Sequence, residues 1–221
     1  MKPRADFTED FGLSGLTKYL QSRLAPRDAA GILSFVDNLL EVEGRAYAQE
    51  VAEDVRRMTR SSLPDAVLST VWLAATESRF DPAGTGLGIR IWLEQIADTC
   101  SSFVRRDDPS FNPGEPGPVD HPELREEVLA ELRGTGPALA EKAVTTIYPP
   151  PLHAVVPALE AAVTELGPDL GFRLFLRAMK VYFIPIGPAR LSRFEEIGRR
   201  LGYHEWVVED GSLNVWSDLE D

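Results

Sequence analysis

Residues 170–187 read "LGFRLFLRAMKVYFIPIG", the most apolar run in the chain, yet Arg173, Arg177 and Lys180 interrupt it every third or fourth residue. That spacing sets three cations on one stripe of an otherwise apolar helix. A membrane span does not carry such a stripe, so the run predicts a helix buried inside a folded domain. A buried helix that keeps three cations must bring them to solvent, to partner carboxylates or to an anionic ligand. The end of the run, "KVYFIPI", reads as a short edge strand, since Pro185 has no N–H to give a central ladder.

Upstream the pattern is helical throughout. Leu13, Leu16, Leu20 and Leu24 form one stripe, and a longer helix from Pro26 to about Arg60 continues the face with Leu33, Val36, Leu40 and Tyr47, with Gly44 as its weak point. Pro64 opens a third helix carrying Val67, Val71, Trp72 and Ala75, and a fourth over 87–105 aligns Leu87, Ile91, Ile96, Cys100, Phe103 and Val104. "RRDDPSFNPGEPGPVDHP", residues 105–122, holds too many prolines for helix or sheet. It is a loop or a linker, so 1–106 and 123–221 are read as N- and C-terminal helical regions joined by 107–122, as one domain or two. Asp120 and Glu123 have capping-box spacing for a helix bearing Leu124, Val128 and Leu132. Breaker-rich joints at 133–137 and 148–157 then predict helices over 137–147, 152–166 and 168–182.

At the carboxyl end, "HEWVVEDGSLNVWSD" (204–218) splits β-favouring residues with Asp210-Gly211, a type I′ turn dipeptide. A two-residue turn would oppose Val208 to Leu213 and Trp206 to Val215, giving one apolar face to pack on the helix bearing Leu191, Phe194, Ile197 and Leu201. The fold class expected is mainly α, about eight or nine helices with a small C-terminal helix plus β-hairpin element.

Familiar chemistry is hard to find. Gly84, Gly86 and Gly88 spell G-x-G-x-G, but the dinucleotide fingerprint needs a glycine where Ile89 stands and a strand before it, and no Walker lysine follows. His121, His153 and His204 show no metal-ligand spacing; Asp107-Asp108 runs into Pro109 without a matching second motif. No metal or cofactor is therefore expected. Cys100 falls on an apolar helical face and reads as an inert buried thiol. His204 and Glu205 would diverge on a strand, and Glu77, Arg79 and Asp81 are read as capping and surface pairing rather than the lining of a cleft.

Charge narrows the partners. A net charge of −12 disfavours nucleic acid, and arginine outnumbers lysine nineteen to four, as in a high-GC bacterial source. With no apolar run behind the N-terminal basic residues, a cytosolic, membrane-free protein is expected. Residues 168–202 are locally basic, carrying Arg173, Arg177, Lys180, Arg190, Arg193, Arg199 and Arg200. The first functional expectation is an acidic protein-binding module, of the kind immunity proteins, inhibitors and adaptors represent, engaging a basic partner through Glu205, Glu209 and Asp210. The alternative is an enzyme or small-molecule binder, with Arg173, Arg177, Lys180, Arg190 and Arg193 as an anion site and Trp72, Trp92, Phe172 or Tyr182 as cleft wall. A third reading is a DNA-binding regulator, since helix, turn, helix, hairpin resembles a winged helix in element order, with Arg190, Arg193, Arg199 and Arg200 facing the duplex, though Glu205, Glu209 and Asp210 would face phosphates.

Overall fold

The computed structural model describes residues 6–112, 114–117, 119, 121–145 and 151–220. The protein is mainly α: α1 (Gly12–Leu20), α2 (Ala29–Arg60), α3 (Asp65–Ala75), α4 (Ile89–Asp107), α5 (Arg125–Thr145), α6 (Val155–Leu166), α7 (Pro168–Val181), α8 (Pro188–Arg200) and the one-turn α9 (Glu205–Val208). A parallel pair, β1 (Pro185–Ile186) and β2 (Asn214–Val215), completes it. No helix among the described residues is long and apolar enough to cross a membrane.

The apolar stripes set the packing. α2 lies along α4, burying Val36, Leu40, Val51 and Val55 against Ile96, Cys100 and Val104, while α7 is surrounded by α1, α3, α5 and α6. Trp72 and Trp92 meet edge to face at 5.8 Å, and the Trp72 indole N–H donates to the Phe80 carbonyl at 2.9 Å. Together with Phe172 they are sealed in the core, so these rings wall no cleft. α1 ends at Leu20, which leaves Leu24 of the expected stripe in solvent. Ile91 also points outward, because Ile89, Trp92 and Leu93 take the buried side of α4.

Two breakers behave differently. The first joint does not break the chain: α5 runs through Gly134, Gly136 and Pro137. Thr135 turns its hydroxyl back onto the Glu131 and Leu132 carbonyls, and packing on α6 offsets the roughly 3 kcal/mol that an interior proline costs. Gly44, in contrast, breaks α2 at φ 84°, ψ −177°, a region essentially reserved for glycine. Asp120 of the expected capping box lies outside the described residues, as does part of the second joint. The described part of the 107–122 segment runs back along α2: the Gly117 N–H donates to Glu53 at 2.8 Å and Arg57 to the Gly117 carbonyl at 3.1 Å.

The expected hairpin is corrected. His204 accepts the Trp206 N–H and starts a turn of helix, and the adjacent Val207 and Val208 are both buried, which a strand with alternating faces cannot achieve. Gly211 does take the positive φ foreseen for the turn. The segment beyond it pairs parallel to β1 instead, Pro185 with Asn214 and Ile186 with Val215. Val208 and Leu213 are buried while Trp206 and Val215 are exposed. With the wing absent, the winged-helix element order does not form.

Because Gly44 has open space around its α-carbon, only backbone conformation demands glycine there. Gly44→Ala is expected to lower stability by about 1–3 kcal/mol, read as a reduced denaturation midpoint.

Candidate functional site

The cationic stripe of α7 is where the structure concentrates its charge. Arg173, only 1% exposed, makes a two-armed pair with Asp54 of α2 at 2.8 and 2.9 Å. It also reaches Asp169 at 3.2 Å, the Phe11 carbonyl at 2.9 Å and the face of the Phe11 ring at 4.4 Å. Burial alone would pull the guanidinium pKa down, but Asp54 and Asp169 outweigh it and hold the charge firmly. Asp54 also accepts the Leu13 N–H at 2.8 Å, an anion seated at the start of α1. There a Cβ on Gly12 would lie 2.1 Å from the Asp54 carboxylate, so only glycine fits. Arg173 is thus enclosed among protein groups.

One turn on, Arg177 pairs with Asp10 at 2.6 Å, and Asp10 in turn accepts the Ser14 hydroxyl at 2.5 Å. A further turn brings Lys180 to Asp210 at 2.8 Å, and Lys18 of α1 approaches the other oxygen of the same carboxylate at 3.2 Å. Burial pushes the Asp210 carboxyl up; the Lys180 charge and hydrogen bond, the Ser212 N–H and Lys18 more than reverse it, leaving the group well below the usual carboxylate range. Burial and the neighbouring Arg177 pull the Lys180 ammonium the other way, below its ordinary value. Asp210 therefore faces inward onto cations rather than outward to a partner. Glu209 accepts the Gly211 N–H at 2.8 Å, and of the three expected partner-facing acids Glu205 alone is fully exposed.

Arg190 and Arg193 sit apart on α8, both directed at Glu131 of α5; Arg199 pairs with Glu196 and Arg200 with Glu127. The five cations expected to form one anion site are thus divided: Arg173 is enclosed, Arg177 and Lys180 stand at a cleft edge, and Arg190 and Arg193 are on α8. Cys100 is enclosed, with burial pushing its thiol up to about 12, which keeps it protonated and inert. Asp108 binds Arg45 and Ser110, and no metal-holding cluster occurs among the described residues.

Where α7 ends, Arg177, Lys180 and Lys18 line a cleft of about 460 Å³ together with Glu77, Phe183 and Asn214. Two of these residues are strained. Glu77 and Phe183 both have positive φ, 55° and 50°, in a region where non-glycine residues are uncommon and which concentrates at binding and catalytic sites. Phe183 is also 69% exposed, next to Trp216 at 57%. The three residues lie together: the Asn214 amide donates to the Phe183 carbonyl at 2.9 Å and its oxygen accepts the Trp216 indole N–H at 2.8 Å, while the Trp216 backbone N–H reaches Ile186 at 2.9 Å. Sequence reasoning found the cations but missed this face; only the turn-forming position after a helix, filled by phenylalanine in place of glycine, hinted at it. The chain matches no protein-family model, no curated protein and no solved structure.

Two measurements test the charge ladder. Arg173→Ala should cost about 3–5 kcal/mol by leaving Asp54 buried and unpaired, seen as a large drop in thermal midpoint. Asp210→Asn should destabilise the protein at neutral pH. Because the folded carboxyl is held below its ordinary value of 3.8, its contribution is complete above that value and fades as pH falls beneath it, so the wild-type and Asn proteins should converge in acid.

Proposed function

We propose that the protein is a binding module that docks a basic, partly apolar protein partner on the face formed by Phe183, Val215 and Trp216. The observation carrying this reading is Phe183. It is a large apolar residue held in a left-handed backbone conformation at the end of α7, the place where glycine ordinarily terminates a helix, and it projects into solvent beside an exposed tryptophan. Natural sequences keep such strain where the side chain is needed, and aromatic residues are enriched at protein interfaces. Asp218 and Glu220 follow Trp216, Glu77 borders the cleft, Asp210 neutralises the cleft cations Lys180 and Lys18, and the whole chain carries −12, which favours a partner bearing lysine or arginine over an acidic one.

A small carboxylate or phosphate compound is the second reading, favoured by the line of Lys18, Arg177 and Lys180 along the cleft. Such a ligand would have to displace the Asp210 carboxylate from Lys180 and Lys18.

The test places a photo-crosslinking residue at 183, at 216 and, as a control, at the exposed Leu24. A single protein adduct is expected from 183 and 216 in source cells, absent at 24. Phe183→Gly should remove that adduct formed from 216 while raising stability by about 1 kcal/mol, through relief of the left-handed strain. Equal adducts at all three positions, or none at 183 and 216, would sink the assignment.

A further inference from the structure

A second concavity, separate from the cleft, has Asp10 of the Asp10–Arg177 pair in its wall. It measures about 200 Å³ and lies between the segment before α1 and the turn of α2 that carries Glu43 and Tyr47. Carboxylates dominate its walls: Asp6, Glu9, Asp10 and Glu43. Glu9 is paired with Lys18 at 3.3 Å and Asp10 with Arg177. Asp6 and Glu43 have no cationic partner among the described residues; the only group Glu43 holds is the neutral Tyr19 hydroxyl, at 2.6 Å.

An independent observation comes from Tyr47. Its side chain lines the same concavity, is 2% exposed, and carries a hydroxyl with no hydrogen-bond partner among the described residues. Buried hydroxyls are normally satisfied, and an orphan one is a recurrent mark of a missing ligand or water. Burial and the nearby Asp10 charge push this phenol well above its ordinary value, so it remains a neutral hydroxyl able to donate or accept. The half-buried Tyr19 ring also lines the concavity.

We infer that this concavity is a binding site for a guanidinium group, either on a free small molecule or on an arginine side chain of a partner. The chemistry fits on three counts. Two exposed carboxylates without a cationic partner among the described residues give the concavity a negative field that favours a cation. Acceptors placed around the concavity, Glu43, Asp6 and the Tyr47 hydroxyl, suit a planar group with five N–H donors better than a quaternary ammonium, which has none. The Tyr19 ring offers a surface on which guanidinium stacks. This site is separate from the Phe183 face and does not rest on the partner assigned there.

The probe is N-acetyl-arginine amide titrated against the full chain, followed by isothermal calorimetry and by tyrosine fluorescence, with an arginine-containing tetrapeptide as a parallel arm. Saturable binding is expected. Affinity should fall at least tenfold in Tyr47→Phe and in Glu43→Gln, and choline should bind at least tenfold more weakly than the arginine probe. Tyr47→Phe deletes only an unsatisfied hydroxyl, so its thermal midpoint should hold or rise, which keeps the variant interpretable; Glu43→Gln lies on an exposed helix position and provides the second check. Tighter binding of the tetrapeptide than of the amide assigns the guanidinium to a polypeptide, and the reverse assigns it to a small molecule; both support the site. Absence of saturable binding, undiminished affinity in the folded variants, or equal affinity for choline would each overturn it.

Discussion

The pair between Asp54 and Arg173 is the contact through which the rest of the molecule is organised. It lies where α1, α2 and α7 meet, and each helix commits a group to it: the Leu13 N–H, the Asp54 carboxylate and the Arg173 guanidinium. Two ions cannot leave water for such a place unless nearly every lone pair and N–H is met, and Phe11, Ser14 and Asp169 supply further partners, leaving the Arg173 Nε without one among the described residues. A core of leucine alone would tolerate sliding between the helices. Directional bonds do not, and Gly12, pressed against the carboxylate, leaves no room for an alternative approach of α1.

Once that junction is set, the charge ladder above it has little freedom. Successive turns of α7 carry Arg177 and Lys180 away from the core towards the surface, and their carboxylate partners come from parts of the chain distant in sequence, Asp10 near the start and Asp210 near the end. The ladder thereby ties both termini to one helix. It also separates two concavities, the cleft with its aromatic border and the acidic, tyrosine-lined concavity beside Asp10.

Backbone irregularities occur at both places, as they do at His121, Ala154 and several glycines outside them. Gly44 opens α2 beside the acidic concavity, and Glu77 and Phe183 hold left-handed conformations around the cleft. Regular helices elsewhere supply the rigidity against which such strain persists. Binding through preorganised but locally strained surface, on a rigid helical support, is the common feature of both proposals.

The sequence by itself determined the helical character, most helix positions, the internal position of residues 170–181 and the need for Arg173, Arg177 and Lys180 to find anions. These follow from periodicity and from the cost of burying charge, both of which are local. Which anions they found was decided only by tertiary structure. Asp10, Asp54 and Asp210 stand 167, 119 and 30 residues from their partners, and no local pattern joins residues so far apart. The C-terminal hairpin failed for the same reason: Asp210-Gly211 does favour a turn, but the burial of adjacent Val207 and Val208 against α8 and the open edge of β1 together outweighed local preference for antiparallel pairing. Pro137 was likewise overruled by packing on α6. Turn and breaker propensities amount to a few kcal/mol at most, and the competing tertiary contacts are of the same size or larger, so the fold resolves what the local signals leave open.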